Sequence, residues 1–150
     1  MVNKMNEYMK IALLEAKKSL KFGDVPVGAI IVKNGKIISK AYNEKEKKKN
    51  AIKHAEIIAI EKACKKLKTW YLDDCDLYVT LEPCLMCCGA IIQSRLKNVY
   101  YSTESKKFGY VESIGKLFND KNNHMPQVYT GLEKEEAAKL LTDFFKDKRN

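Results

Sequence analysis

The 150-residue chain is 45% hydrophobic and 31% charged, with only seven glycines and three prolines, which predicts one folded domain over residues 1–150 and excludes a disordered chain. No apolar stretch approaches the roughly 18 residues of a spanning helix and the N-terminus lacks a signal peptide, so we expect a cytoplasmic protein with no membrane partner. The net charge of +9 fits nucleic-acid binding or simply a lysine-rich surface, because Arg95 and Arg149 are the only arginines.

The N-terminal part of the chain predicts a helix followed by a β-hairpin. Apolar residues at three- and four-residue spacing indicate a buried helical stripe. They are Met5, Tyr8, Met9, Ala12, Leu13, Ala16 and Leu20. After a break at residues 23–26, two β-branched runs at 27–32 and 36–42 flank Asn34-Gly35. Both turn residues tolerate the positive φ of a type I′ turn, so this pattern predicts a hairpin.

The rest of the chain alternates between helical and strand patterns. The lysine-rich segment 43–50 predicts an exposed loop, and a helix is expected at 51–67. The later predicted elements are strand 77–80, helix 84–95, strands 98–102 and 127–129 with a short helix between them, and helix 133–148. This order predicts an α/β fold with three layers, α/β/α, around a five-stranded mixed sheet.

Two short motifs suggest a metal site. His54-Ala55-Glu56 precedes Pro83-Cys84-Leu85-Met86-Cys87, and each motif stands where a helix is expected to begin. A Cys-x-x-Cys that opens a helix places both sulfurs on one face near the positive end of the helix dipole, where thiolates are favoured. Two thiolates and a histidine suit tetrahedral Zn²⁺ and leave one position for water. We therefore predict that His54, Cys84 and Cys87 bind zinc.

A fourth protein ligand would instead indicate a structural zinc. The candidates are Cys64, Cys75, Cys88 and His124. Cys88 points about 100° away from Cys87 on the same helix, so it cannot easily reach the same ion. Cys64 and Cys75 fit better as small packing residues.

Glu56 is the predicted catalytic residue. It follows His54 closely but is not needed as a ligand. Hydrolytic removal of an amino group from a ring requires a side chain that takes a proton from water and delivers it to the ring nitrogen and the departing amine. Glu56 also argues against a zinc-stabilised RNA-binding module and against a thiol redox protein using Cys84 and Cys87, because neither needs a carboxylate beside the metal. The two motifs together are typical of zinc-dependent nucleobase deaminases, whereas each alone is common.

With these motifs, the chain resembles the cytidine/deoxycytidylate deaminase superfamily and, within it, the bacterial tRNA adenosine deaminases. The resemblance covers nearly the whole chain and also includes the segments 25–30, 78–84 and 140–145. It implies a cytidine deaminase-like fold, a homodimer and, as partner, a tRNA anticodon stem-loop whose wobble adenosine becomes inosine. The implied substrate-binding residues are Val27, Asn43, Ala55, Phe144, Phe145 and Arg149. A surplus of apolar surface on the helix from Cys84, with Ile91 and Ile92, also favours a dimer.

Three departures from the family pattern concern the expected RNA-binding side. Glu104 stands where an aspartate is usual, the segment 109–113 replaces a Gly-Ser loop, and Met125 replaces an arginine. The alternative within the enzyme class is therefore a deaminase of a free purine base or nucleoside such as guanine, for which the positive surface would be incidental.

Overall fold

A five-stranded mixed sheet in the order β2-β1-β3-β4-β5 forms the middle of the molecule. The computed structural model describes residues 2–149. Its strands are β1 (Gly28–Lys33), β2 (Lys36–Tyr42), β3 (Cys75–Leu81), β4 (Asn98–Thr103) and β5 (Gln127–Thr130). Its helices are α1 (Val2–Lys18), α2 (Lys45–Lys48), α3 (Ala55–Leu67), α4 (Leu85–Gln93) and α5 (Lys134–Arg149). β1 is antiparallel to β2 and β3, whereas β3, β4 and β5 are parallel.

Helices cover both faces of the sheet, because successive side chains of a strand point to opposite sides. Ala29 and Ile31 of β1 belong to the core that α3 and α4 close, whereas Ile30 and Val32 belong to the core under α1. Helix α5 contacts β3 and β4. The predicted three-layer α/β fold is confirmed. None of the helices described between residues 2 and 149 is long and apolar enough to cross a membrane.

Four tyrosines form a column on the α1 side of the sheet, in which three rings are stacked and the ring of Tyr8 is tilted by 52°. Tyr78, Tyr100 and Tyr129 are register partners on β3, β4 and β5, and Tyr8 of α1 adds the fourth ring. Successive ring centroids lie 5.2, 4.3 and 4.8 Å apart. The Tyr8 hydroxyl donates a hydrogen bond of 2.9 Å to the Gly35 carbonyl, so the column also holds the hairpin turn against α1.

The predicted hairpin is confirmed, with φ of 50° at Asn34 and 74° at Gly35, as a type I′ turn requires. Most of the predicted stripe on α1 is buried, but Leu20 is 43% exposed. The prediction that Leu20 belongs to the core is wrong, because the chain tightens into a 3₁₀ turn over Ser19–Phe22 and turns this side chain outward.

Two predicted helices begin later than expected. Helix α3 begins at Ala55 rather than at residue 51, because His54 is its N-cap with an extended backbone, φ −78° and ψ 151°. Cys84 is likewise the extended N-cap of α4, with ψ of 177°. The segment 43–50, predicted as a loop, contains the single-turn helix α2. The short helix expected between β4 and β5 is absent from residues 104–126, all of which the structure describes.

Candidate active site

The N-termini of α3 and α4 meet at the carboxyl end of the sheet and bring three metal-binding side chains together. The Nδ1 atom of His54 lies 3.6 Å from the Sγ atoms of both Cys84 and Cys87. All three ligand atoms lie within 4.8 Å of one another. His54 and Cys84 are only partly buried, whereas Cys87 is fully buried in the first turn of α4.

These distances fit a tetrahedral zinc ion. Typical Zn–N and Zn–S bonds of about 2.05 and 2.3 Å place a nitrogen and a sulfur ligand about 3.6 Å apart at the tetrahedral angle. The observed separations of 3.6 Å match this value for both cysteines. The chemistry of the donor set, two sulfurs and one imidazole nitrogen, also suits zinc.

The four residues considered as a fourth ligand are engaged elsewhere. Cys88 directs its thiol to the Pro83 carbonyl at 3.6 Å, and Cys64 directs its thiol to the Trp70 carbonyl at 3.7 Å. The Cys75 thiol faces Asp74, and Nε2 of His124 lies 2.6 Å from the Leu96 carbonyl. The cluster of three therefore leaves one tetrahedral position for water or substrate.

Proton affinities in the cluster differ strongly between neighbours. The contact with the Cys87 thiol, and after it that with His54, lowers the pKa of Cys84 to about 4 although burial opposes this. The same contact with Cys84, together with burial, raises the pKa of Cys87. Pairing with Cys84 raises the pKa of His54. Cys84 is therefore held as a thiolate, which is the form that binds a metal.

Glu56 lies in the first turn of α3 with only 4% of its surface exposed. Burial raises the pKa of its carboxyl group to about 7, and contacts with His54 and Cys87 offset only part of this rise. A carboxyl group with a pKa near neutral can both accept and release a proton during one reaction cycle. The structure thus places an acid–base group next to the metal-binding cluster.

Asn43 connects the end of β2 to the start of α3. Its Oδ1 atom accepts a hydrogen bond of 2.8 Å from the Ala55 N–H, and its Nδ2 donates one of 3.1 Å to the Val25 carbonyl. The Asn43 N–H donates to the Val27 carbonyl at 3.0 Å. The structure brings Val27, Asn43 and Ala55 together and gives Asn43 a scaffolding role. Their predicted contacts with substrate stay a prediction.

Glu82, two positions before Cys84, is a residue of the site that the sequence motifs do not predict. This carboxylate is 2% exposed and accepts hydrogen bonds from four backbone N–H groups. The donors are Ser105, Val111, Glu112 and Ser113, at 2.8 to 3.0 Å, and the Ser113 hydroxyl adds a fifth bond. Burial opposes ionisation, but the bonds from Ser113 and the backbone lower the pKa of Glu82 overall. A carboxylate at the end of an apolar strand was the available sequence signal. We call residues 105–113 the Glu82 loop.

A cavity of about 720 Å³ lies between the Glu82 loop and α5. Its apolar lining consists of Val25, Leu81, Phe108, Leu141 and Phe145, and three lysines at 106, 107 and 146 also line it. Phe144 instead lines a neighbouring hollow with Leu20 and Gly23. The two phenylalanines predicted to bind substrate therefore face different depressions. The side chain of Arg149, also predicted to bind substrate, lies outside the described residues.

None of the three departures from the family pattern replaces a residue of the metal-binding cluster, and one of them, the segment 109–113, contacts it through the backbone bridge between Gly109 and Cys84. Glu104 lines the cavity and pairs with Lys134 at 3.2 Å. The segment 109–113 contains three of the four residues that donate hydrogen bonds to the Glu82 carboxylate. Met125 is 52% exposed just before β5. These substitutions therefore change surfaces around the site and leave its ligands unchanged.

Comparison with known proteins places the chain among deaminases. Residues 3–149 match the sequence model of the MafB19-like deaminases. A tRNA-specific adenosine deaminase of Aquifex aeolicus is 48% identical over 145 residues, which cover 95% of each chain. A solved structure from work on A-to-I editing by tRNA:A34 deaminases superposes with a TM-score of 0.87 at 39% identity, over 90% of this chain and 99% of that chain. A Bacillus subtilis guanine deaminase structure is 43% identical, with a TM-score of 0.62, over 65% of this chain and 63% of that chain.

Proposed function

Because this chain belongs to the MafB19-like deaminase family, we propose that it is a zinc-dependent hydrolase that converts the wobble adenosine of a tRNA anticodon loop to inosine. The observation that carries the chemistry is a buried Glu56 beside the cluster of His54, Cys84 and Cys87. The choice of substrate is supported by the 48% identity, over 95% of both chains, to a tRNA-specific adenosine deaminase. Water and adenosine enter this reaction, and inosine and ammonia leave it.

The residues of the site divide the work between them. His54, Cys84 and Cys87 would hold Zn²⁺, which would lower the pKa of a bound water to about 7. Glu56 takes a proton from the attacking water and delivers it to the ring nitrogen beside the amino-bearing carbon. It then takes the second proton from the new hydroxyl group on that carbon, which becomes a carbonyl, and delivers it to the amine, which leaves as ammonia. Asn43 keeps the first turn of α3 in place through its bond of 2.8 Å to the Ala55 N–H.

The alternative substrate is a free purine such as guanine, which the similarity to a guanine deaminase over 65% of the chain favours. The cavity beside α5 distinguishes the two candidates. It combines an apolar lining with the three lysines at 106, 107 and 146, a combination suited to a nucleobase and its phosphates. A small free base would have no use for this additional surface.

We also propose a homodimer that works in the cytoplasm. Ile91 is fully buried in the core and so cannot supply the surplus apolar surface expected on this helix, but Leu85 at the start of α4 is 52% exposed and Ile114 is 48% exposed. Light scattering at micromolar concentration should give twice the chain mass of 17.2 kDa. A strict monomer would contradict this proposal.

The deciding experiment is mass spectrometry of a tRNA pool and of free purines after incubation with the protein. We expect inosine at the wobble position of a tRNA that carries adenosine there, and little change in free adenosine or guanine. A Glu56→Ala sample treated in the same way controls for contaminating deaminases. Rapid consumption of guanine with the tRNA unchanged would favour the alternative.

A further inference from the structure

The Glu82 carboxylate is the largest buried polar group near the site with no part in metal binding or proton transfer. Residues 111–113 donate four of its five hydrogen bonds and Ser105 donates the fifth. Both ends of the Glu82 loop therefore meet at this carboxylate. Each partner is a donor. An amide N–H₂ group in place of Oε1 would oppose the Ser105 N–H, and one in place of Oε2 would oppose the three N–H groups of residues 111–113, so the site requires a carboxylate rather than an amide.

The Glu82 loop is also tied to the cysteine motif. Gly109 forms an isolated antiparallel bridge with Cys84, and the Tyr110 N–H donates a bond of 3.0 Å to the Pro83 carbonyl. A Cβ atom at position 109 would overlap the Glu82 carboxylate, so only glycine allows the backbone to come this close. The loop is therefore folded around Glu82 and not merely adjacent to it.

The same loop forms one wall of the cavity beside α5. Ser105 and Phe108 line this cavity from the loop side, and Phe145 lines it from α5. Leu81, the neighbour of Glu82 in the chain, lies at its inner end. Phe108 is 69% exposed and has little packing of its own to fix it. The position of this wall therefore depends on the bonds to Glu82.

We propose that Glu82 is a positioning residue for the oligonucleotide substrate. Its hydrogen bonds fix the wall of the cavity that the Glu82 loop forms, and this wall contacts the RNA around the target base. This inference rests on the proposed function. Loss of the carboxylate should weaken RNA binding and leave the chemical step intact, because the loop joins the cysteine motif through backbone groups of Pro83 and Cys84, and the Glu82 carboxylate bonds neither Glu56 nor the ligand side chains. The class of ligand is a nucleotide with an aromatic base and a phosphate, which match Phe108 and the lysines at 106 and 107.

The test compares Glu82→Gln with Glu112→Gln, which alters an exposed carboxylate in the same loop and keeps the N–H that binds Glu82. With an anticodon stem-loop as substrate, Glu82→Gln should raise KM at least about tenfold while kcat stays within about threefold and the zinc content is unchanged. Glu112→Gln should behave like the unmodified protein. A fall in kcat with KM unchanged, or no change in either, would overturn the assignment.

Limited trypsin digestion measures independently how readily the Glu82 loop opens. Cleavage after Lys106 or Lys107 requires the loop to open, so Glu82→Gln should be cut there at least about tenfold faster than Glu112→Gln. If Glu82→Gln does not fold, the Ser113→Ala variant takes its place, because it removes only the hydroxyl bond to Glu82. It should show a smaller rise in KM and a smaller rise in the cleavage rate. A Ser113→Ala variant with the KM and the cleavage rate of the unmodified protein would overturn the proposal. An unmodified protein that ignores the stem-loop would overturn the proposed function as well, whereas an active protein with an unaffected Glu82→Gln variant would overturn only the role of Glu82.

Discussion

Glu56 and Glu82 are two buried carboxylates near one site, and their surroundings give them different chemistry. Glu82 accepts five hydrogen bonds, and these stabilise its charge. Burial dominates the surroundings of Glu56 and raises its pKa to about 7. A carboxylate stabilised by many donors is a poor proton carrier, whereas one with a pKa near neutral can transfer protons in both directions. The two residues are therefore not interchangeable.

Replacement of Glu56 by alanine should abolish turnover while the fold and the zinc content are kept. One acid–base side chain is typically worth about 10² to 10⁴ in rate, and Glu56 serves several transfers, so the loss should reach the upper end of that range. Single-turnover rate, elemental analysis and melting temperature on one sample test this. Glu61→Gln, an exposed carboxylate on the same helix, is the matched control. A Glu56→Ala protein with zinc and more than about a tenth of the rate would contradict the assigned role.

Replacement of Asn43 by alanine should destabilise the protein as well as affect turnover. The change leaves the buried Ala55 N–H and the Val25 carbonyl without partners, and each buried group left unpaired costs about 1 to 3 kcal/mol. Urea denaturation measures the loss. Asn50→Ala removes an exposed bond to the Ile52 N–H and should change stability by less than about 0.5 kcal/mol. An Asn43→Ala protein of normal stability with a raised KM would mean that Asn43 acts only as a substrate ligand.

At the scale of elements, the site depends on two helices whose N-caps, His54 and Cys84, are predicted metal ligands. Neither His54 nor Cys84 caps its helix with a side-chain hydrogen bond. Their side chains turn toward each other instead, and the Ala55 N–H at the start of α3 is satisfied by the Oδ1 atom of Asn43. A metal bound there would join α3 to α4 as well as serve the reaction.

Removal of any one ligand should therefore cost both metal and stability. Cys84→Ser, Cys87→Ser and His54→Ala should each lower the zinc content well below one ion per chain. The free energy of unfolding should fall by more than about 2 kcal/mol, which lowers Tm by about 4 to 8 °C in a chain of this size. Elemental analysis and calorimetry measure the two effects, with Cys88→Ala as a control on the same helix. A metal-free preparation with full activity would rule out the zinc chemistry.

Local patterns predicted most elements because their causes are local. The hairpin follows from Asn34-Gly35, and the buried stripe of α1 follows from its spacing. The helix expected between β4 and β5 is missing for a reason no local pattern contains. Several N–H groups of that segment bind Glu82, which lies between 23 and 31 positions earlier in the sequence, so they cannot form a helical ladder. The motifs picked out the three side chains that the structure brings together as a possible metal site, but the directions in which Phe144 and Phe145 face depend on how α5 is rotated.

At the scale of the whole molecule, part of the net charge of +9 lies at the cavity beside α5, which is lined by three lysines. Cations of this kind neutralise the phosphates of a nucleic acid. An RNA substrate would release counterions on binding, whereas a free nucleoside carries no phosphate to do so.

Affinity for an anticodon stem-loop should therefore fall steeply with salt. We expect a log–log slope of about −0.7 for each phosphate neutralised on the single-stranded loop, and almost no salt response for turnover of free adenosine. Fluorescence anisotropy between about 50 and 200 mM salt measures the first, and a coupled ammonia assay measures the second. Salt-independent consumption of free purine, together with no binding of the stem-loop, would assign the lysines to ordinary surface.

The tyrosine column provides an optical signal by which loss of tertiary packing in this protein can be observed. Its four rings, with successive centroids 4.3 to 5.2 Å apart, extend from Tyr8 of α1 to the half-exposed Tyr129 at the edge of the sheet. Aromatic rings held in fixed positions produce near-ultraviolet circular dichroism, which vanishes when tertiary packing loosens even if secondary structure persists. The column belongs to the core on the α1 side, whereas the cluster of His54, Cys84 and Cys87 lies at the ends of α3 and α4. Chelation that merely opens the site should therefore leave this optical signature intact, and its disappearance would reveal that the sheet itself has loosened.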